Sequence, residues 1–164
     1  MVEQPQNKNT EKHSSYTAAW SRMSVAIEHG FFLEAVAIQE SMMFDRIRSF
    51  LAYVVQDKVK DKTPFGRVVR RWEAELNADG KRQPPRWESD CDLPKRILAW
   101  IDARNVVVHK MARSRPGTPT MPIDQFLALA KSTAESGTIL CREVSDRHRR
   151  QKARSASFTD QSEE

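Results

Sequence analysis

Apolar residues recur at intervals of three and four along most of the chain, which is the spacing of one buried face of an α-helix. No segment alternates apolar and polar residues over a length that would indicate a β-strand. The pattern predicts helices over residues 16–29, 32–58, 65–76 and 93–111, and a last helix from about residue 123 onward. We therefore expect an all-α fold, an antiparallel bundle of about five helices.

The two ends of the chain are more polar than its middle, and 164 residues are enough for one domain with a single core. We assign residues 1–15 to a flexible N-terminus, 16–146 to one helical domain and 147–164 to a disordered tail that is first basic and then acidic. The first dozen residues lack the apolar run of a signal peptide, and no window approaches the roughly 18 apolar residues of a membrane span. We expect a soluble, cytoplasmic protein without a membrane partner.

The formal net charge is +5, and basic residues cluster between Arg142 and Arg154. This cluster is either a solvated helix end or a surface that attracts phosphates. Cys91 and Cys141 stand alone, without the spacing of metal ligands, and are expected to be reduced thiols. With no glycine-rich phosphate loop either, the sequence gives no support for a metal, a cofactor or nucleotide hydrolysis.

Two charged residues occupy positions on the packing faces of predicted helices. Glu40 interrupts the apolar stripe of the helix over 32–58, and Arg104 interrupts that of the helix over 93–111, between Ile101 and Val108. An unpaired buried charge costs several kcal/mol, roughly, so such residues persist when they are paired or line a wet cleft. We predict that Glu40 contacts Arg104, either as a structural ion pair or to orient Arg104 toward an anionic ligand.

Further polar residues lie beside Arg104 on the same predicted helix. Asn105 and His109 are four residues apart and share one face, with Asp102 on the same side. Arg104 and His109 are five apart, which is about 140° of rotation on a straight helix. Either the helix loosens near His109, or Arg104 reaches around it, or a second copy of the chain completes the site.

The run Arg104-Asn105-Val106-Val107-Val108-His109 resembles the Arg-x-x-x-x-His signature of the HEPN superfamily. The asparagine after the arginine, the apolar filling and the position late in a bundle helix all agree with that signature. Arg142 and His148 also satisfy its loose form, but in a charged helix without these features. Met111 stands where HEPN toxins controlled by nucleotide modification carry a tyrosine, which indicates another branch of the superfamily.

The resemblance implies a metal-independent endoribonuclease that cleaves RNA by 2′-OH attack, in a toxin–antitoxin, phage-defence or stress-response system. It implies a homodimer with a composite site, and a cognate antitoxin or defence-system partner. His109 would act as acid or base, since histidine exchanges protons near neutral pH. Arg104 would stabilise charge on the phosphate, Asn105 would orient the reacting groups, and Glu40 and Asp102 would support them.

Other residues are expected to contact RNA outside this catalytic set, namely Arg86, Trp87, Lys110 and Arg113. The remaining tryptophans, at positions 20, 72 and 100, fit apolar helix patterns and are expected in the core. The sequence also allows two other hypotheses. One is a HEPN-like domain that binds RNA or a nucleotide without catalysis, and the other is a helical module for protein interactions.

Overall fold

The computed structural model describes residues 8–56, 59–60, 62–79, 81, 92–109, 117 and 119–160. It contains five helices in this part of the chain: α1 (Lys8–Glu28), α2 (Phe32–Val54), α3 (Phe65–Asp79), α4 (Leu93–His109) and α5 (Ile123–Asp160). The described residues include no strand, so the predicted all-α helical bundle is confirmed. None of these helices is long and apolar enough to cross a membrane, as far as the described residues go.

The main differences from the sequence-based expectation lie at the two ends of the chain. Helix α1 begins at Lys8 and α5 continues to Asp160, whereas the sequence-based division began the helical domain at residue 16 and ended it at residue 146. Contacts with the bundle explain both extensions. Lys12 pairs with Asp45 of α2 at 2.9 Å, and the guanidinium of buried Arg147 lies 5.8 Å from the ring centre of Trp72. Helix α2 ends at Val54, before its predicted end at residue 58, and Gln56 beyond it has a φ of 58°. The predicted end of the fourth helix, at residue 111, falls outside the described residues.

Helix α2 lies at the centre of the bundle and packs against each of the other four helices. Its buried face includes Met43, Ile47 and Leu51, which meet residues such as Val69 of α3 and Ile97 of α4 in one core cluster. Burial of aliphatic side chains stabilises a fold by roughly 1.5–3 kcal/mol each. The apolar stripe of α2 therefore contributes to the packing of both α3 and α4.

A close approach of α5 to both α2 and α4 fixes the position of α4. A Cβ atom at Gly137 would lie 2.1 Å from Oε1 of Gln39 and 2.8 Å from Nε1 of Trp100, so only glycine fits there. Gln39 donates from Nε2 to the carbonyl oxygen of Ala134 at 2.6 Å, and Trp100 donates from Nε1 to that of Thr133 at 2.9 Å. These buried hydrogen bonds hold α2 and α4 on the same stretch of α5.

A polar network joins α1 to α2 on the other side of the bundle. The hydroxyl of Tyr16 donates to Oδ2 of Asp45 at 2.7 Å, and the guanidinium of Arg46 lies 3.8 Å from the centre of the Tyr16 ring. Burial raises the pKa of the Asp45 carboxyl, but the hydrogen bonds from Tyr16 and Lys12 outweigh it and lower that pKa below its ordinary 3.8. Burial and the neighbouring Asp45 raise the pKa of Tyr16.

Candidate functional site

Arg104 lies on the packing face of α4. Ile97, Trp100 and Val107 are buried, and Arg104 occupies the place between the last two at the same spacing of three and four. The sequence-based stripe was wrong in one detail, because it used Val108. Val108 is 42% exposed and Val107 is fully buried, so the face is turned by one residue from the expected one.

The predicted contact between Glu40 and Arg104 is confirmed. Nη2 of Arg104 donates to Oε2 of Glu40, and the two side chains are only 23% and 25% exposed. The second terminal nitrogen, Nη1, donates to Oδ1 of the neighbouring Asn105 at 2.9 Å. The Nε atom is buried without an acceptor in the described part of the chain. Two oxygen acceptors on different helical positions thus orient the guanidinium plane.

The pair lines a cleft of about 520 Å³ between α2, the start of α3 and α4. Its charged residues are three arginines and two carboxylates, and its floor is partly apolar. The lining consists of Glu40, Pro64, Phe65, Gly66, Arg67, Arg70, Leu98, Ile101, Asp102, Arg104 and Asn105. The structure therefore brings together Glu40, Asp102, Arg104 and Asn105 of the predicted site residues.

Arg67 and Arg70 were not identified from the sequence as part of the site. They are three residues apart, on one face of α3, just after the Pro64 that marks its first turn. That spacing was visible in the sequence, but a pair of exposed arginines on a helix is common. Only the packing of α3 against α2 and α4 shows that this face meets Arg104.

His109 is not among the residues that line the cleft. It is the last residue of α4 and is exposed, as is Asn105 one turn earlier. The helix stays regular up to this point, so it does not loosen to bring His109 beside Arg104. One chain therefore presents Arg104 in the cleft and His109 about 140° further around the helix.

The predicted RNA-contacting residues Arg86, Trp87, Lys110 and Arg113 all lie outside the described residues, as does Cys91.

The second motif-like pair, Arg142 and His148, is arranged differently from Arg104 and His109. Arg142 is exposed, and His148 lines a crevice of about 10 Å³ with core residues. A space of that size admits no nucleotide, which agrees with the preference for Arg104 and His109.

The three described tryptophans and Cys141 contribute to the core rather than to the cleft. Trp72 and Trp100 are buried and Trp20 packs partly buried against the same cluster, as predicted. Burial raises the pKa of the Cys141 thiol to about 12, so this thiol is a poor nucleophile. In the described ranges, no three His, Cys, Asp or Glu residues are grouped closely enough to hold a metal ion.

Comparison of the chain with protein-family models, curated proteins and solved structures finds no match. The chemistry of the cleft, the exposed His109 at the end of α4 and the short motif that contains both Arg104 and His109 are therefore the basis for a functional proposal.

Proposed function

We propose that the chain is a metal-independent endoribonuclease of HEPN type, which cleaves RNA by attack of a 2′-OH on the adjacent phosphate. The observation that carries this proposal is the cleft in which Glu40 and Asn105 orient Arg104, with His109 exposed at the end of the same helix. Each of the two groups that metal-free RNA cleavage requires, a fixed cation and a proton-transfer group, is present on α4.

Arg104 supplies the cation. A guanidinium stays charged at all physiological pH values and presents donors in a planar fork that matches two phosphate oxygens. Glu40 and Asn105 hold the fork before substrate arrives, so little reorganisation is needed as negative charge builds on the phosphate. Pre-oriented donors of this kind contribute roughly 3–4 kcal/mol to stabilising such a transition state.

His109 supplies proton transfer. The 2′-oxygen bonds to phosphorus as its proton leaves, and the bond from phosphorus to the 5′-oxygen breaks as that oxygen gains a proton. The products are a 2′,3′-cyclic phosphate and a 5′-hydroxyl, without net uptake of water in this step. His109 of one chain serves either as the base that takes the 2′-OH proton or as the acid that protonates the 5′-oxygen, and water transfers the other proton.

The position of His109 favours a composite site in a homodimer. Arg104 and His109 of one helix are separated by about 7.5 Å along its axis and about 140° around it. A second copy of α4 facing the first across a twofold axis brings the His109 of one chain toward the Arg104 of the other. Val108, which is apolar and 42% exposed beside His109, is suited to lie in that interface.

The direct test is incubation of purified protein with RNA in EDTA. We expect cleavage to 2′,3′-cyclic phosphate ends by the wild type and none by His109→Ala, whereas His29→Ala, a change at another exposed histidine, keeps activity. Intact RNA with the wild type would contradict the proposal. Mixing inactive Arg104→Ala and His109→Ala chains should restore activity if the site is shared between subunits.

In a cell, this activity would belong to a toxin–antitoxin, phage-defence or stress-response system in the cytoplasm, with an antitoxin or another defence component as partner. Expression of the wild type should then arrest growth, and His109→Ala should relieve the arrest. Unimpaired growth at a measured level of soluble protein would argue against a toxin role.

A second function is favoured by one observation, the absence of His109 from the lining of the cleft. In that case the arginine-lined cleft binds RNA or a nucleotide without cutting it. RNA that is bound but intact, with binding weakened by Arg104→Ala, would support this function over the first.

A further inference from the structure

Arg67 and Arg70 have no carboxylate partner among the described residues, unlike several other arginines of the bundle. Arg22 pairs with Glu34 and Arg96 with Glu143, and Arg71, the neighbour of Arg70, pairs with Glu75. Arg104 pairs with Glu40 in the same cleft. Arg67 and Arg70 are exposed in that cleft, so their positive charge is available to a ligand.

The backbone at the start of α3 adds donors at the same place. The first N–H groups of a helix have no partner within the helix. The carbonyl oxygen of Pro64 accepts from Arg67 at 2.9 Å and from Val68 at 3.3 Å, which leaves the N–H groups of Phe65 and Gly66 for other acceptors. Helix N-termini with free N–H groups bind anions.

Gly66 adds no side chain to this surface, although a Cβ atom would fit there. A Cβ atom there would meet one atom within 4 Å, the Nη1 of Arg70 at 3.9 Å. The guanidinium of Arg70 therefore lies across the first turn of α3, next to the position that lacks a side chain. Two cationic side chains and a helix start converge on one wall of the cleft, and Arg104 lies on the wall formed by α4.

From this arrangement we infer that Arg67, Arg70 and the first turn of α3 form a second phosphate subsite, which binds the RNA backbone beside the phosphate held at Arg104. The inference rests on the proposed function for the identity of the polymer. One guanidinium group can bind two oxygens of a phosphate through two parallel N–H groups. The cleft, with a volume of about 520 Å³, is larger than one phosphate requires. A ligand with several consecutive phosphates, such as single-stranded RNA, contacts both the α3 wall and the α4 wall of the cleft.

Asp102 is an acidic residue that opposes phosphate binding at the subsite. It is exposed and lines the same cleft, so its carboxylate opposes a bound phosphate. Replacement of Asp102 by asparagine removes that repulsion while keeping the shape of the side chain. Asp102→Asn should therefore bind RNA more tightly, in the direction opposite to loss of the two arginines.

The test uses the full chain carrying His109→Ala, so that RNA stays intact, and measures binding of a fluorescent single-stranded RNA at several salt concentrations. We compare Arg67→Ala/Arg70→Ala with Arg22→Ala/Arg142→Ala, which removes the same charge outside the cleft. Each phosphate contact contributes about 0.7 to the slope of log Kd against log salt, so loss of two should lower that slope by about 1.4. Kd should rise by roughly tenfold or more.

Equal slopes and equal Kd values for the two double variants would overturn the subsite, even if the wild type cleaves RNA and the proposed function stands. The reverse outcome is also distinguishable. RNA binding that depends on Arg67 and Arg70, in a chain that does not cut RNA, would support the subsite and contradict the proposed nuclease activity. Binding of inorganic phosphate, measured directly, without any binding of RNA would overturn the assignment to RNA. An unchanged melting temperature shows that each variant is folded.

Discussion

Removal of the charge at Glu40 should lower the stability of the bundle measurably. Breaking a fully buried ion pair costs about 3–5 kcal/mol, because the remaining charge stays desolvated, and exposed pairs contribute about 0.2–1 kcal/mol. Glu40 and Arg104 are 25% and 23% exposed, between these limits. We therefore expect Glu40→Gln to lower the free energy of unfolding by about 2 kcal/mol, which corresponds to a melting temperature about 4–8 °C lower at this chain length.

A double-mutant cycle separates the pair from the effects of each substitution. Urea unfolding of Glu40→Gln, Arg104→Gln and the double variant should give a coupling energy of about 1 kcal/mol or more. The same cycle on Arg22 and Glu34, whose side chains are 68% and 36% exposed, is the control and should give less. A coupling energy no larger than that of the control would refute the reasoning that burial strengthens this pair.

The same variant also tests whether Glu40 positions Arg104 for catalysis. At a temperature where Glu40→Gln is fully folded, a merely structural pair leaves RNA cleavage per folded molecule unchanged. An orienting role lowers kcat, because the guanidinium loses one of its two fixed acceptors, and changes KM much less. Activity that follows only the folded fraction would assign Glu40 to stability alone.

Two further predictions concern packing and pH. Gly137→Ala should destabilise the protein by about 3 kcal/mol in urea unfolding, since the new methyl group must displace Gln39 and Trp100 from their hydrogen bonds; wild-type stability would contradict the close approach. The lowered pKa of Asp45 means that its contribution to stability is present above pH 3.8 and is lost as the pH falls through the folded-state pKa. The stability difference between wild type and Asp45→Asn should therefore shrink on acidification, and a difference that stays constant as the pH falls would contradict the prediction.

The parts of the fold that sequence could predict are those where one apolar stripe dominates a helix. Helices α2 and α4 have such stripes, and the interruption of each by one charge predicted the contact between Glu40 and Arg104. The polar ends of α1 and α5 have weak periodicity, and contacts such as that between Arg147 and Trp72 extend the helix there. A pattern along one helix contains no information about such partners.

The site residues on α2 and α4 were predictable from the sequence, whereas those on α3 were not. Arg104 and Asn105 were identified, but Arg67 and Arg70 form part of the cleft through the packing of α3, which no local spacing encodes. The close approach at Gly137 was missed for a related reason. A glycine within a helix is a weak local signal, and its role depends on Gln39 and Trp100 from two other helices.

Stability alone is a weak explanation for a charged pair on the packing face of α4. Well-packed apolar residues in place of a buried pair are often neutral or stabilising by about 1–4 kcal/mol. Under the proposed function, the pair holds the charge of Arg104 in one orientation in the cleft that Arg67 and Arg70 also line. His109, turned away from that cleft on a regular helix, then has a catalytic role only if another copy of α4 supplies the facing Arg104. The shared site therefore predicts that activity is restored when Arg104→Ala and His109→Ala chains are mixed, and a mixture that stays inactive would contradict it.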